Sequence, residues 1–394
     1  TSKRDTNGNV TTYVYDDMGK LVSETDPLGN TVTYTYDALG RQITRTDPLR
    51  NTTSYTYDEL GRVTRVTNPD NTYSQYTYDA AGRKMSSTDA NGNITSYTYD
   101  DAGRLISQTD PAGSITTHTY DATGRQISVT DPDGNTTTKT YDAAGNTSRI
   151  TYADDTYVDY TYDNNGNRIS KTDQTGRTTT YTYDVNGRAI SETDSAGKIT
   201  SYTYDSAGRG ISVTDPEGNI TTYSYDDRGH VTGITDPSGR TTSYTYDNNG
   251  NKIAETSPDG EITSYTYDAA GRVSAVTNPN GETTSFTYNT AGNRTTLTDG
   301  GGNTTSFTYD SMGRVTDTVY PDTDANPNNE REVYTYDNNG NVATRTTCNG
   351  EVTTYTYDVN NRLTEESRPE GTVSYSYDDM GRRYQQQRYC QLYL

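Results

Sequence analysis

Tryptophan is absent from this 394-residue chain, and phenylalanine, histidine and cysteine occur twice each. Apolar residues make up only 28% of it, while 39 tyrosines supply nearly all the aromatic surface. A thick aliphatic core cannot be built from such a composition, so any interior must be thin, Tyr-rich and partly polar. No apolar run approaches the length of a membrane span or of a signal-peptide core. Cys348 and Cys390 cannot make a disulfide framework and fix neither redox compartment nor export route; a bridge between two copies is the bond they leave open. Basic residues are outnumbered 33 to 54, for a formal charge of −21. That balance lacks the clustered Lys and Arg that a nucleic-acid partner requires, and it favours solubility.

What the chain does have is one phrase, repeated. A Tyr-Asp step falls at Tyr15, Tyr36, Tyr57, Tyr78, Tyr99, Tyr120 and onward every 21 residues to Tyr309, then at Tyr336, Tyr357 and Tyr377, eighteen copies with Asn289 once in place of Asp. Two spacings break the period: an insertion within 320–332 and a one-residue deletion before Tyr377. Self-similarity at this period marks a repeat architecture whose units bury their apolar faces by stacking on their neighbours. No composition shift marks a boundary, so residues 1–394 are expected to form a single continuous array.

The unit 31–51 gives the local structure. Thr31 to Tyr36 alternates Thr with Val or Tyr, which predicts a strand with Tyr34 and Tyr36 on one face and Thr33 and Thr35 on the other. Asp37-Ala38-Leu39-Gly40 is a turn, with Asp able to accept backbone N–H bonds and Gly at a position of positive φ. Arg41 to Thr46 is predicted as the second strand, and Asp47-Pro48-Leu49-Arg50 as a second turn with Pro setting φ. Substitutions respect the plan: Phe286 and Phe307 replace the first Tyr, and Asn361 replaces the turn Gly. An aliphatic residue lies seven positions after the Tyr in Ile43, Ile127, Ile169, Ile190, Ile211 and Ile253. It lies six and nine after it in Val63 with Val66 and in Val273 with Val276. Six and nine differ in parity, so those copies either bulge or place apolar groups on both faces.

Two strands for each of eighteen units make an all-β antiparallel meander of about 36 strands. A flat ribbon of that width would leave its Tyr face in water, and long sheets twist and curl, so the sheet is expected to roll into a tube or hollow spiral shell with Tyr and Ile inward.

Tyr55-Thr56-Tyr57-Asp58-Glu59-Leu60-Gly61-Arg62 and Tyr265 through Arg272 resemble the repeat of the RHS/YD-repeat proteins, and the resemblance covers the whole chain. It implies a hollow β-shell wound from hairpins. Such shells occur in secreted polymorphic toxins and insecticidal toxin complexes, where they enclose a cytotoxic C-terminal domain, and in cell-surface proteins. It therefore implies a secreted or surface address. The toxin shells end in an Asp-Pro-x-Gly-Leu processing segment and a variable toxin, whereas this sequence ends at Arg388 through Leu394 with neither. Thr1 to Asn9 aligns with Val22 to Asn30, and Arg382 to Gln387 reads as a second strand without a cap, so the array is expected to be cut within a repeat at both ends. Open edges at Thr1 to Asp5 and Arg382 to Gln387 would pair copies head to tail.

Candidate chemistry dissolves into the repeat. His118 stands where the first Tyr belongs and His230 where the Arg belongs, with no Ser, Cys or second His fixed nearby. Asp37, Asp58 and Asp79 would line one rim and Asp26, Asp47, Asp110 and Asp131 the other. Hairpins are about 10 Å apart, calcium needs ligand oxygens at about 2.3–2.6 Å, and Arg41 and Arg62 stand ready to neutralise Asp37 and Asp58. Turn capping is the better reading. The segment Asp322 to Glu330 alternates oxygen ligands as a calcium loop does but lacks the central Gly, so a solvated turn is favoured. Sequons at Asn51 and Asn135 follow from the repeat. No catalytic, cofactor or metal residue is expected, and the chain is read as a non-enzymatic structural element, an extracellular tube or fibre. The alternative is a shell segment around a secreted polypeptide. Glycan adhesion would need Tyr on the outer face.

Overall fold

The computed structural model describes residues 1–321 and 330–390, and of 384–390 the backbone alone. The described residues form 37 strands and no helix. They divide into two compact units, Thr1–Ile115 with Tyr265–Leu394, and Thr116–Ser264. Within each unit a strand contacts the strands next to it in sequence, so each unit is an antiparallel meander one sheet thick.

One hairpin plan recurs in both units. In the first, Thr31–Tyr36 pairs with Gln42–Thr46, Tyr34 facing Arg45 and Tyr36 facing Gln42. In the second, Thr178–Tyr183 pairs with Ala189–Thr193, Tyr181 facing Glu192 and Tyr183 facing Ala189. The second strand is one residue shorter than the sequence suggests, because the Arg41 N–H is taken at 2.9 Å by the Asp37 carboxylate inside the turn. Both turns share a geometry. The Gly40 N–H donates to Asp37 O at 2.9 Å, and the Arg50 N–H donates to Asp47 O at 3.0 Å. The last turn residue takes positive φ, 75° at Gly40 and, against the usual steric preference, 69° at Arg50. Asn361 adopts 61°, as its place in the repeat required.

The parity puzzle resolves as a bulge. Tyr55 faces Val66 and Tyr57 faces Val63, with the register shifting between Thr56 and Tyr57. The extra residue reverses the alternation, so positions six and nine both share the Tyr face. Copies with Ile at position seven bulge too: Gln42 and Ile43 together oppose Tyr36.

Burial is shallower than the composition led us to expect. Paired Tyr residues such as Tyr34, Tyr36, Tyr55 and Tyr57 are half-buried while Thr35 and Thr56 between them are exposed. Among described large apolar side chains only Val158 is buried, at 6% exposure. Ile127, Ile169, Ile190 and Ile253 remain 36–38% exposed, so they are not the core that was anticipated. The physical reason is the single layer: within a unit no second sheet covers the face, and each side chain is shielded only by its neighbours along the sheet.

The two irregular spacings fall between strands that still pair. Arg368 pairs with Gly371, so the deletion leaves a two-residue link of Pro369 and Glu370. Around the insertion, Val315–Val319 still pairs with Arg331–Tyr336, and the Tyr320 N–H donates to Glu330 O at 2.7 Å. The calcium-loop reading of Asp322 to Glu330 falls almost wholly outside the described residues. The last strand runs Arg383–Cys390, longer than Arg382 to Gln387, and the first is Ser2–Arg4.

Candidate functional site

The Tyr-Asp-x-x-Gly-Arg motif builds a clamp that joins each repeat to the next. Within a turn, the Asp58 Oδ1 accepts the N–H groups of Leu60 and Arg62 at 3.0 and 2.9 Å, and its Oδ2 accepts Arg62 Nε at 2.6 Å. Between repeats, Arg41 Nη1 donates to Asp58 O at 2.9 Å while its guanidinium stands 4.8 Å from the centre of the Tyr57 ring. The Tyr57 hydroxyl returns the link, donating to Gln42 O at 2.6 Å. Arg62 does the same to Tyr78 and Asp79, and Arg209 to Tyr225 and Asp226. Where the motif keeps its Arg, as at Arg41 and Arg62, that side chain serves its own turn and the next repeat at once.

The carboxylates are consumed by this work. Backbone hydrogen bonding from Arg41 holds the Asp37 carboxyl below its ordinary range, with burial opposing and the Arg41 side chain assisting. Ser238's hydroxyl leads the groups that pull Asp236 down to about 2. Each rim Asp is locked into its own turn. Among the described residues no three His, Cys, Asp or Glu side chains converge as a metal site would require.

Both histidines substitute for motif residues. His230 repeats the Arg role, its Nδ1 2.8 Å from Asp226 Oδ2 and its ring stacked on Tyr246 with centroids 4.8 Å apart. His118 bonds Gln126 through Nδ1 at 2.9 Å. Cys348 is half-buried and free.

Sequence reading missed a compensation. Asn replaces the clamp Arg at Asn146, Asn167, Asn251, Asn293 and Asn341; it can still bond the first residue of its turn, as Asn167 does to Asp163 at 2.9 Å, but is too short to reach the next ring. In three of the five copies, Asn167, Asn251 and Asn293, the next residue is a cation, whereas Thr147 and Val342 follow the other two. Arg168 lies between Tyr160 and Tyr181, at 5.8 and 5.0 Å, and Arg294 between Phe286 and Phe307, at 5.7 and 5.1 Å. Lys252 Nζ stands 5.5 Å from the Tyr244 ring centre. The signal was present in the sequence as Asn followed by Arg or Lys. A separate pair joins the buried Glu332 to the partly exposed Arg345, and Glu332 accepts the Tyr334 hydroxyl; burial and that carboxylate push Tyr334 up to about 12.

The unit formed by Thr1–Ile115 and Tyr265–Leu394 also has a seam. Second-type turns of its N-terminal stretch meet first-type turns of its C-terminal stretch. Arg314 Nη2 lies 3.3 Å from Asp70 Oδ2, Asn339 Nδ2 donates to Asp89 Oδ2 at 2.7 Å, and Asn360 Nδ2 donates to Asp110 Oδ2 at 2.6 Å. Beside these contacts runs a groove of about 580 Å³, lined by Pro48 and Pro69 on one rim and by Ala291 and Met312 on the other.

Known proteins bear on this arrangement. The RHS Repeat family model matches from residue 1 to residue 262 in overlapping windows, and the Teneurin YD-shell model matches residues 252–393. Comparison with curated proteins finds no match. Among solved structures, the chain is similar to one in the TcdB2-TccC3-Cdc42 crystal structure, with a TM-score of 0.75 and 16% identity over 96% of this chain and 26% of that one. It is also similar to one in the Photorhabdus luminescens Tc holotoxin pore, with a TM-score of 0.70 and 17% identity over 95% and 22%. The chain therefore spans about a quarter of the length of the solved chains it matches. At such identities the likeness is one of fold, and the repeat model, covering well over half the sequence, shows that the chain belongs to the RHS repeat family.

Proposed function

We propose that this chain is a non-catalytic wall element, a continuous YD-repeat array that works by being a wall and resides outside the cell or on its surface. The observation that carries the reading is the clamp. Where the motif is complete its Tyr and Arg side chains join one repeat to the next and its Asp carboxylate caps its own turn, as Arg41, Tyr57 and Asp58 illustrate. A wall needs no cofactor, so chelator is expected to leave the melting temperature unchanged, and a fall of several degrees would revive a metal site. Electron microscopy supplies the second test: the purified chain should be a wall one sheet thick.

The likeness to the Tc toxin chains favours a second reading, enclosure of a polypeptide on the Tyr face. A peptide fused after Leu394 would then resist protease until the wall unfolds. Cleavage at the rate of the free peptide would leave the wall reading alone.

A further inference from the structure

The seam exposes what its two rims are built to touch, and the same two surfaces recur elsewhere with nothing upon them. On the first-type rim the third turn residue is the one that meets the seam. Met312 occupies that place beside the groove and is 37% exposed. Met18, Leu39 and Leu60 occupy the same place in three successive repeats, and they are 71, 74 and 72% exposed. They form a strip of apolar side chains one repeat, about 10 Å, apart. On the second-type rim the proline behaves likewise. Pro27, Pro48, Pro69 and Pro111 belong to the stretch that carries the seam, and all are half-buried, as is Pro132 outside it. Pro216, Pro237 and Pro258 stand in three successive second-type turns of the unit Thr116–Ser264, and all are exposed.

We propose that these two free rims are a copy-to-copy interface, in which the Met18–Leu39–Leu60 strip of one molecule seats on the Pro216–Pro258 turns of a second copy. The argument is continuity with the seam within the chain. There, prolines of second-type turns share a groove with the small and apolar third residues of first-type turns, at the same one-repeat spacing on both sides. Two surfaces with matching period and matching side-chain type are displayed on different parts of one chain, so the contact is heterologous and builds open chains of molecules unless its rotation closes a ring. The strip is also unusual in a chain of this charge, since consecutive exposed large aliphatic residues on a −21 molecule invite burial. This interface is distinct from strand-edge pairing, which would use Ser2–Arg4 and Arg383–Cys390. It extends the wall reading but does not depend on it.

Sedimentation over a concentration series tests the interface. Wild-type protein should associate, and the double variant Leu39→Asp, Leu60→Asp should weaken association at least about tenfold with its melting temperature held within a few degrees. Lys3→Pro, which disables the first edge strand for pairing, should leave association intact. As a direct readout, Leu60→Cys and Pro237→Cys proteins, each also carrying Cys348→Ser and Cys390→Ser, should form a mixed disulfide on oxidation. A wild type that stays monomeric at all concentrations overturns the proposal, as does association that survives Leu39→Asp, Leu60→Asp but is abolished by Lys3→Pro.

Discussion

Tyr57 concentrates the energetics of the repeat in one side chain. Its ring takes the Arg41 guanidinium and its hydroxyl donates to Gln42 O, so Tyr57→Phe removes one hydrogen bond while keeping the stacked cation. The expected cost is about 1 kcal/mol, and Arg41→Ala should cost at least as much because it removes both the cation and a carbonyl bond. Urea titration would check the order; equal stability of Tyr57→Phe and wild type would contradict the clamp. The carboxylates of the rim set the response to acid. Asp37, Asp58, Asp205 and Asp236 all titrate lower in the folded chain than the roughly 3.9 of an unfolded Asp. The folded state therefore binds fewer protons, and the stability these groups supply is fully present above about pH 5. It drains as pH falls below 4 and through the folded values, near 2 for Asp236. Thermal melts should be level from pH 5 to 8 as far as these groups decide and should fall steadily below pH 4; a melting temperature that rises in acid would refute the assignment.

At the scale of the hairpin, the turn decides the register. Gly61 at φ 80° has room for a Cβ, 3.8 Å from Arg41 Cδ, so Gly61→Ala should cost about 1 kcal/mol from backbone strain alone. The converse change, Arg50→Gly, should stabilise by a similar amount, since Arg50 is held at φ 69°. Paired melts of the two variants would reveal opposite signs. Hairpin geometry was largely legible beforehand, because Asp and Gly at fixed offsets speak through local sterics and hydrogen bonding. Arg41 was misplaced by one residue into a strand, because its N–H had a competing acceptor in Asp37 that alternation alone does not weigh. The bulge was offered as one of two explanations for Val63 and Val66, and pairing to Tyr57 and Tyr55 selects it.

In the larger of the two units, contacts between residues some 250 positions apart hold one stretch of repeats to another. The Asp70–Arg314 pair is four-fifths shielded from water, and a double-mutant cycle with Asp70→Asn and Arg314→Gln should return a coupling of about 0.5 kcal/mol. Hydrogen exchange in the Asn68–Asn71 turn should quicken in either single variant; unchanged exchange would mean that the pair contributes nothing to the seam.

The sequence by itself determined the period, the strands, the two turn chemistries and the absence of a helical pattern, because each depends on residues within a dozen positions of one another. It also pointed to capping as the fate of Asp37 and Asp58. The clamp from Arg41 to Tyr57 escaped it, since that contact joins side chains 16 residues apart whose meeting depends on how one hairpin stacks on the next. The depth of burial escaped it too: alternation says which face a Tyr lies on, and only the number of layers above that face says how much water it loses. The seam was furthest from reach. Asp70 and Arg314 occupy ordinary places in ordinary repeats, and nothing local distinguishes them from copies that face solvent. The fold of the unit brings those two together although they stand 244 positions apart in the chain.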